Sequence, residues 1–232
     1  MHIVLGIPDC RPQDVCYDCP GETCASNPEC TCKEKQALYG IGAGLNKFLY
    51  NEDGLLQDFE GIPIFECHDG CLCNDTCQNW VVQHHRQCYI KIAKAEKKGW
   101  GIFSSGHEIL VKGTFIGTYS GQYISEAENG SAFMIAISRS GEGSYIFDLN
   151  FYHLKGMEML SYQCRKDWQC KTLQLRHDLT WLQNHACNPN CHIEACYVEE
   201  GNLTKPLVII FADKEIHQDE ELIILYFGGI QV

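Results

Sequence analysis

The stretch Phe65-Glu-Cys67-His-Asp-Gly-Cys71-Leu-Cys73-Asn-Asp-Thr-Cys77-Gln-Asn79-Trp-Val81-Val82-Gln83 packs four cysteines into eleven residues. Cys71 and Cys73 are one residue apart, a spacing at which two side chains cannot easily bond each other. Thiolates this dense are what a tetrahedral metal site requires. A second group lies upstream, Cys16, Cys19, Cys24, Cys30 and Cys32, again with a single-residue gap at Cys30/Cys32. Nine thiolates supply the twelve metal–sulfur bonds of about three zinc ions if three of them bridge. Separate four-cysteine zinc sites with a spare thiol, or a disulfide scaffold, satisfy the same arithmetic.

The rest of the chain narrows the compartment and the class. There are 16 cysteines in 232 residues, 11 of them before residue 89. The opening Met1-His-Ile-Val-Leu-Gly-Ile-Pro-Asp9 lacks the basic and apolar regions of a secretory signal, which favours zinc in a reducing compartment. No apolar run reaches membrane-spanning length. The net charge of −12 disfavours a sequence-reading duplex binder and fits a basic partner.

Residues 1–88 hold few long apolar runs, so metal cross-links are expected to replace hydrophobic burial there, with Leu45–Ile64 as loop. From residue 89 to 232 the pattern turns to short strands: Tyr89–Ala95, Thr114–Tyr119, Ser144–Leu149, Leu207–Ala212 and Glu221–Phe227, with Ala132–Ser138 a weaker candidate. Glycines at Gly99, Gly101, Gly113 and Gly141 punctuate them, and Ser125-x-x-Glu128 has the form of a helix-opening capping box. The fold class is mainly β.

The opening stretch closely resembles the pre-SET signature of SET-domain histone lysine methyltransferases, and most of all the class acting on lysine nine of histone H3. Further matches follow in order: Lys98-Gly99-Trp100-Gly101, Tyr119-Ser120-Gly121-Gln122, Tyr145-Ile-Phe-Asp148-Leu149, Asn184-His185-Ala-Cys187-Asn-Pro189-Asn190, and Glu221-Leu-Ile-Ile-Leu-Tyr226. The resemblance spans roughly residues 10 to 228. It implies a pre-SET zinc-cluster domain (1–88) bracing a SET domain (89–232) of small sheets, with an insertion around 150–178. A C-terminal segment threaded through a loop beside Asn184-His185 is also implied.

The resemblance further implies methyl transfer from S-adenosylmethionine to a lysine of the histone H3 tail, in the nucleus, as part of heterochromatin formation. Lys98, Gly99, Trp100, Tyr145, Asn184 and His185 match cofactor-contacting positions. Tyr226 matches the catalytic tyrosine, and Tyr145 borders cofactor and lysine channel. The nine cysteines Cys16, Cys19, Cys24, Cys30, Cys32, Cys67, Cys71, Cys73 and Cys77 match the zinc ligands, with Cys10 in reserve because Cys16-x-x-Cys19 departs from the usual opening. Other chromatin proteins are possible partners; membranes and sequence-specific nucleic-acid contacts are not expected.

Several positions depart from the family pattern. Gln122 stands where an acid is usual, Trp181-Leu182 replace a basic–phenylalanine pair, Ala186 replaces serine, and Leu225 replaces aspartate. Ile224 occupies the place whose side chain helps set the number of methyl groups added; an aliphatic residue there predicts di- or trimethylation. Val232 follows Tyr226 by six residues, without the three-cysteine post-SET segment that would share a zinc with Cys187. Cys164, Cys170, Cys191 and Cys196 are candidates to replace it. These departures support a second expectation, a catalytically silent or weakened chromatin-binding scaffold.

Overall fold

A computed structural model of the chain describes residues 24–25, 27, 30–40, 47–58, 61–84, 86–96, 98–119, 183–198, 203 and 205–226, and the backbone of 122–125, 146–148 and 160–163. Cys10, Cys16, Cys19, Ala132–Ser138, Tyr145, Cys164, Cys170 and Trp181-Leu182 lie outside the described residues, as does Glu128 of the capping box. The described elements are one helix, α1 (Thr31–Gly40), and strands β1 (Ile64–Phe65), β2 (Ile90–Ala95), β3 (Gly99–Ser104), β4 (Phe115–Tyr119), β5 (Gln122–Ser125), β6 (Ile146–Asp148), β7 (Leu160–Gln163), β8 (Asn184–His185), β9 (Cys191–Tyr197), β10 (Leu207–Ala212) and β11 (Ile223–Ile224).

β10, Leu-Val-Ile-Ile-Phe-Ala, is apolar throughout, the composition of a strand covered on both faces. It sits inside a four-stranded sheet of order β1-β9-β10-β4. β9 and β4 flank it antiparallel, with a register shift between Ile210 and Phe211 on the β4 side. Successive side chains of a strand point to opposite faces, and the core obeys this. Val208, Ile210 and Ala212 pack with Ile102, Ile116, Ile216, Leu222 and Ile224 in one layer. Ile209 and Phe211 pack with Leu49, Tyr50, Leu56, Ile62, Ile64 and Val82 in the other.

That second layer corrects one expectation. The N-terminal region buries its own hydrocarbon: Phe48, Leu49 and Tyr50 are at most 2% exposed. The apolar residues come in groups of two to four through 48–82, too short to announce a core on their own; the sheet collects them. β1 pairs parallel with β9, Ile64 opposite Cys196 and Phe65 opposite Tyr197, so a strand from the cysteine-rich side completes the sheet. Phe65 stacks on Tyr197 at 5.0 Å and meets Tyr39 of α1 at a tilt, 4.8 Å between ring centres.

Gly113 locks the same seam. Its φ of +85° is in the left-handed region, and a Cβ there would lie 2.3 Å from the Leu56 carbonyl oxygen. Its own carbonyl accepts from Leu56 N at 3.0 Å, and its N–H donates to Ala212 O at 2.8 Å. Only glycine tolerates both the torsion and the approach. The remaining strands form the β2–β3 hairpin, the sheet β5-β7-β6 and the parallel pair β11–β8. No described helix is long and apolar enough to cross a membrane.

Candidate functional site

Two groups of sulfurs converge beneath α1. Those of Cys24, Cys67, Cys73 and Cys77 lie within 4.8 Å of one another, and so do those of Cys32, Cys67 and Cys71. Zinc–sulfur bonds of about 2.3 Å at tetrahedral angles set neighbouring sulfurs about 3.8 Å apart. Cys24–Cys67 is 3.5 Å and Cys32–Cys71 is 3.7 Å. These are tetrahedron edges, far longer than the roughly 2.05 Å of a disulfide, and every described cysteine is a free thiol. Cys67 belongs to both groups, the position of a bridging thiolate. Cys30 is fully buried in the same cluster.

The surroundings hold the sulfurs in place. Asn79 Nδ2 donates to Cys67 Sγ at 3.5 Å and Cys24 N–H to Cys77 Sγ at 3.3 Å, outer contacts that orient ligands. Hydrogen bonding from its neighbours, first Cys30, holds Cys24 above the usual thiol range, while bonds headed by Cys32 hold Cys71 below it. Next to Cys67, the fully buried Glu66 accepts from Tyr50 OH at 2.8 Å, from Val81 and Val82 N–H at 3.0 and 2.8 Å, and from Gln83 Nε2 at 3.0 Å. Burial pushes its carboxyl upward and those four donors oppose the push. This carboxyl therefore ties the cysteine motif to the sheet seam.

A second constellation forms where residues 219–224 run between β3 and the segment 183–190. On the β3 side Ser104 N–H donates to Glu220 O, Asp219 N–H to Ser104 O and Leu222 N–H to Ile102 O. On the other side Ile223 and Ile224 pair with Asn184 and His185. Asn190 clamps the crossing: its Nδ2 donates to Glu220 Oε1 at 3.0 Å and Glu221 O at 2.8 Å, and its Oδ1 accepts from Ile223 N–H at 2.9 Å.

This crossing gathers most of the residues singled out in the sequence. Asn184 Nδ2 donates to Glu221 Oε1 at 2.7 Å and to Trp100 O at 3.2 Å. Lys98 Nζ lies 3.6 Å from Glu221 Oε2. Gly99, at φ +87°, opens β3, and the Trp100 ring is 58% exposed. His185 accepts the Tyr226 N–H at Nδ1 (3.1 Å), and the two rings lie 5.4 Å apart. The Tyr226 hydroxyl donates to Gln183 O, fixing its position. Glu221, at the centre of this network, was not singled out; the signal was its place at the head of the Glu221–Tyr226 motif.

Other expectations resolve differently. Ile224 is 2% exposed and packs into the core layer with Leu222. Cys191 and Cys196 are buried in opposite layers of the sheet and form no metal-ligating group with Cys187 among the described residues. Burial pushes both thiols upward, as it does Cys88, and they behave as core residues. Cys187 is exposed, its sulfur 3.7 Å from His185 Nε2.

Comparison with known proteins agrees with this geometry. The family model described as SET domain matches residues 99–227, and the one described as pre-SET motif matches residues 4–80. A protein of Cryptococcus neoformans named histone-lysine N-methyltransferase, H3 lysine-9 specific, is 31% identical over 91% of this chain, which spans 13% of that protein. The Neurospora SET domain protein DIM-5, a histone lysine methyltransferase, superimposes with a TM-score of 0.73 at 24% identity, covering 100% of this chain and 89% of its own. KRYPTONITE, solved with mCHH DNA, an H3(1–15) peptide and SAH, gives 0.70 at 19% identity, covering 97% of this chain and 40% of its own.

Proposed function

The chain belongs to the SET-domain family, and from that premise we propose that it methylates a lysine of the histone H3 tail, lysine nine, using S-adenosylmethionine. The observation that carries the reading is the convergence of Lys98, Trp100, Asn184, His185 and Tyr226 on one strand crossing. The relative from Cryptococcus bears that specificity in its name, and KRYPTONITE was solved with both an H3 peptide and SAH.

The residues fit the cofactor. Asn184 Oδ1 takes no hydrogen bond among the described residues, and Trp100, whose carbonyl holds the same amide, is exposed. Lys98, Gly99, Trp100, Asn184 and His185, with Tyr145 from outside the described residues, would hold it. S-adenosylmethionine, when bound, supplies an electrophilic methyl group. Tyr226, its hydroxyl held on Gln183 O, would orient the target amine rather than attack it. That amine must be neutral; exposing it at pH 7 costs about 4.6 kcal/mol for an ordinary lysine. An apolar lining and the adjacent positive charge of the cofactor would lower this cost. The net charge of −12 attracts the basic tail from a distance.

For the cysteine site, Cys16, Cys19, Cys24, Cys30, Cys32, Cys67, Cys71, Cys73 and Cys77 would hold about three zinc ions with bridging thiolates. The division into a bracing unit of residues 1–88 and a catalytic unit of 89–232 is part of the same reading, as is residence on nuclear chromatin. The test is transfer of a labelled methyl group to histone H3, wild type against Tyr226→Phe. Transfer that falls at least tenfold in the variant is expected. No transfer by folded, zinc-loaded protein overturns the reading in favour of a silent scaffold.

A further inference from the structure

We propose that Glu221 is the positioning residue of the cofactor cleft, acting through Asn184. The inference deepens the reading above and rests on it. An amide can be turned end for end with little change in shape, so what decides its orientation is the chemistry of its partners. Both hydrogens of Asn184 Nδ2 are engaged by acceptors, Glu221 Oε1 at 2.7 Å and the Trp100 carbonyl at 3.2 Å. Turning the amide would set its own oxygen against a carboxylate and a carbonyl. The result is that Oδ1 is always the atom presented outward, as an acceptor for an N–H of the cofactor.

The supports of Glu221 are separate from this duty. Its backbone is fixed by Asn190 Nδ2 donating to its carbonyl at 2.8 Å and by its bridge to Phe103. The second carboxylate oxygen reaches toward Lys98 Nζ at 3.6 Å, so one side chain links both strands of the cleft. Space around the pair is closed on the third side. A Cβ at residue 101 would stand 2.8 Å from Glu221 Oε1 and 2.9 Å from Asn184 Nδ2, so glycine leaves room for the pair. Lys98 Nζ approaches the other carboxylate oxygen, Oε2, and the Trp100 carbonyl accepts from the same Nδ2.

The experiment titrates S-adenosylhomocysteine into the zinc-loaded protein by calorimetry, with melting temperature measured in its absence. Glu221→Ala is expected to weaken binding about tenfold, the scale of a charge-assisted hydrogen bond. It should raise KM for the cofactor while leaving kcat at saturation within about twofold. Glu221→Gln keeps an oxygen for Asn184 and is expected to recover most of the affinity. In an Asn184→Ala background, Glu221→Ala should add no further loss. Equal losses in both backgrounds, or wild-type affinity in Glu221→Ala, overturn the proposal. Should Glu221→Ala lose its fold, Gly101→Ala disturbs the same pair from the opposite side; unchanged affinity there also overturns it. Wild-type protein that binds no cofactor overturns instead the function on which the proposal rests.

Discussion

The cysteine-lined region around Cys67 and the sheet around β10 are both buried, yet different forces hold them. Around β10 two hydrocarbon layers close on a strand whose residues 208–212 are fully inaccessible. Around Cys67 the buried surface is sulfur, with Phe48 and Trp80 as the large apolar neighbours. Cysteine occurs in both places with opposite meaning. Cys191 and Cys196 sit singly among aliphatic side chains, and burial pushes their thiols toward the neutral form. The sulfurs of Cys24, Cys67, Cys73 and Cys77 face one another, an arrangement that gains stability only when a cation draws off their protons. The lesson is that the neighbours of a buried thiol, rather than its burial, decide whether it is packing or ligand.

The comparison can be broken most forcefully by removing metal. Chelation at neutral pH is expected to unfold the region of residues 24–83, and alkylation should then label its cysteines. Cys191 and Cys196, whose raised thiol ranges leave almost no thiolate at pH 8, should stay unlabelled while the sheet stands. Equal labelling of all cysteines by mass spectrometry would erase the distinction. Cys67→Ser, which deletes a sulfur common to two groups, should lower bound zinc by more than one ion, whereas Cys196→Ala should leave zinc content unchanged.

Next in size is Phe211→Ala in the sheet. It should destabilise by about 3–5 kcal/mol in denaturant titration and leave zinc content intact. Gly113→Ala tests the seam where the two regions meet. An added methyl 2.3 Å from the Leu56 carbonyl oxygen has no room, and a loss of more than about 1 kcal/mol is expected. A loss below about 0.3 kcal/mol would show that the seam gives way freely. The smallest effect belongs to Lys112, which reaches Asp58 at 2.7 Å and Asp213 at 3.5 Å across that seam. Lys112→Ala should cost less than about 1 kcal/mol and less still in high salt, because the pair is exposed.

What was legible in the sequence follows from the same contrast. Leu207–Ala212 coincides with β10 and Thr114–Tyr119 lies within one residue of β4, because apolar pattern and burial agree there; Tyr89–Ala95 lies within one residue of β2, whose alternation is legible although most of the strand is exposed. α1 escaped notice because its inward positions are Cys32, Gln36 and Gly40, correctly spaced for one helix face but none of them a conventional apolar residue. Gln36 turns inward to donate to Pro63 O and accept from Phe65 N–H, a role that no periodicity announces. β9 was missed because His192 and Glu194 interrupt its apolar residues, and β3 because its glycines suggest a turn. The second constellation was legible only residue by residue through resemblance, and its centre, Glu221, became evident from distances.

The crossing of residues 219–224 also bears on the order of events in folding. Its hydrogen bonds join partners far apart in the chain: 84 residues separate Asn184 from Trp100, and 128 separate Asp219 from Lys91. Closing loops of that size is entropically demanding, and contacts of long sequence separation slow folding. The hairpin β2–β3 can assemble early by local pairing, but the cleft it borders does not exist until the distant strand arrives. Partly folded chains would carry the aromatic edge of the site without its centre, so competence to bind should appear abruptly, together with the last cooperative step.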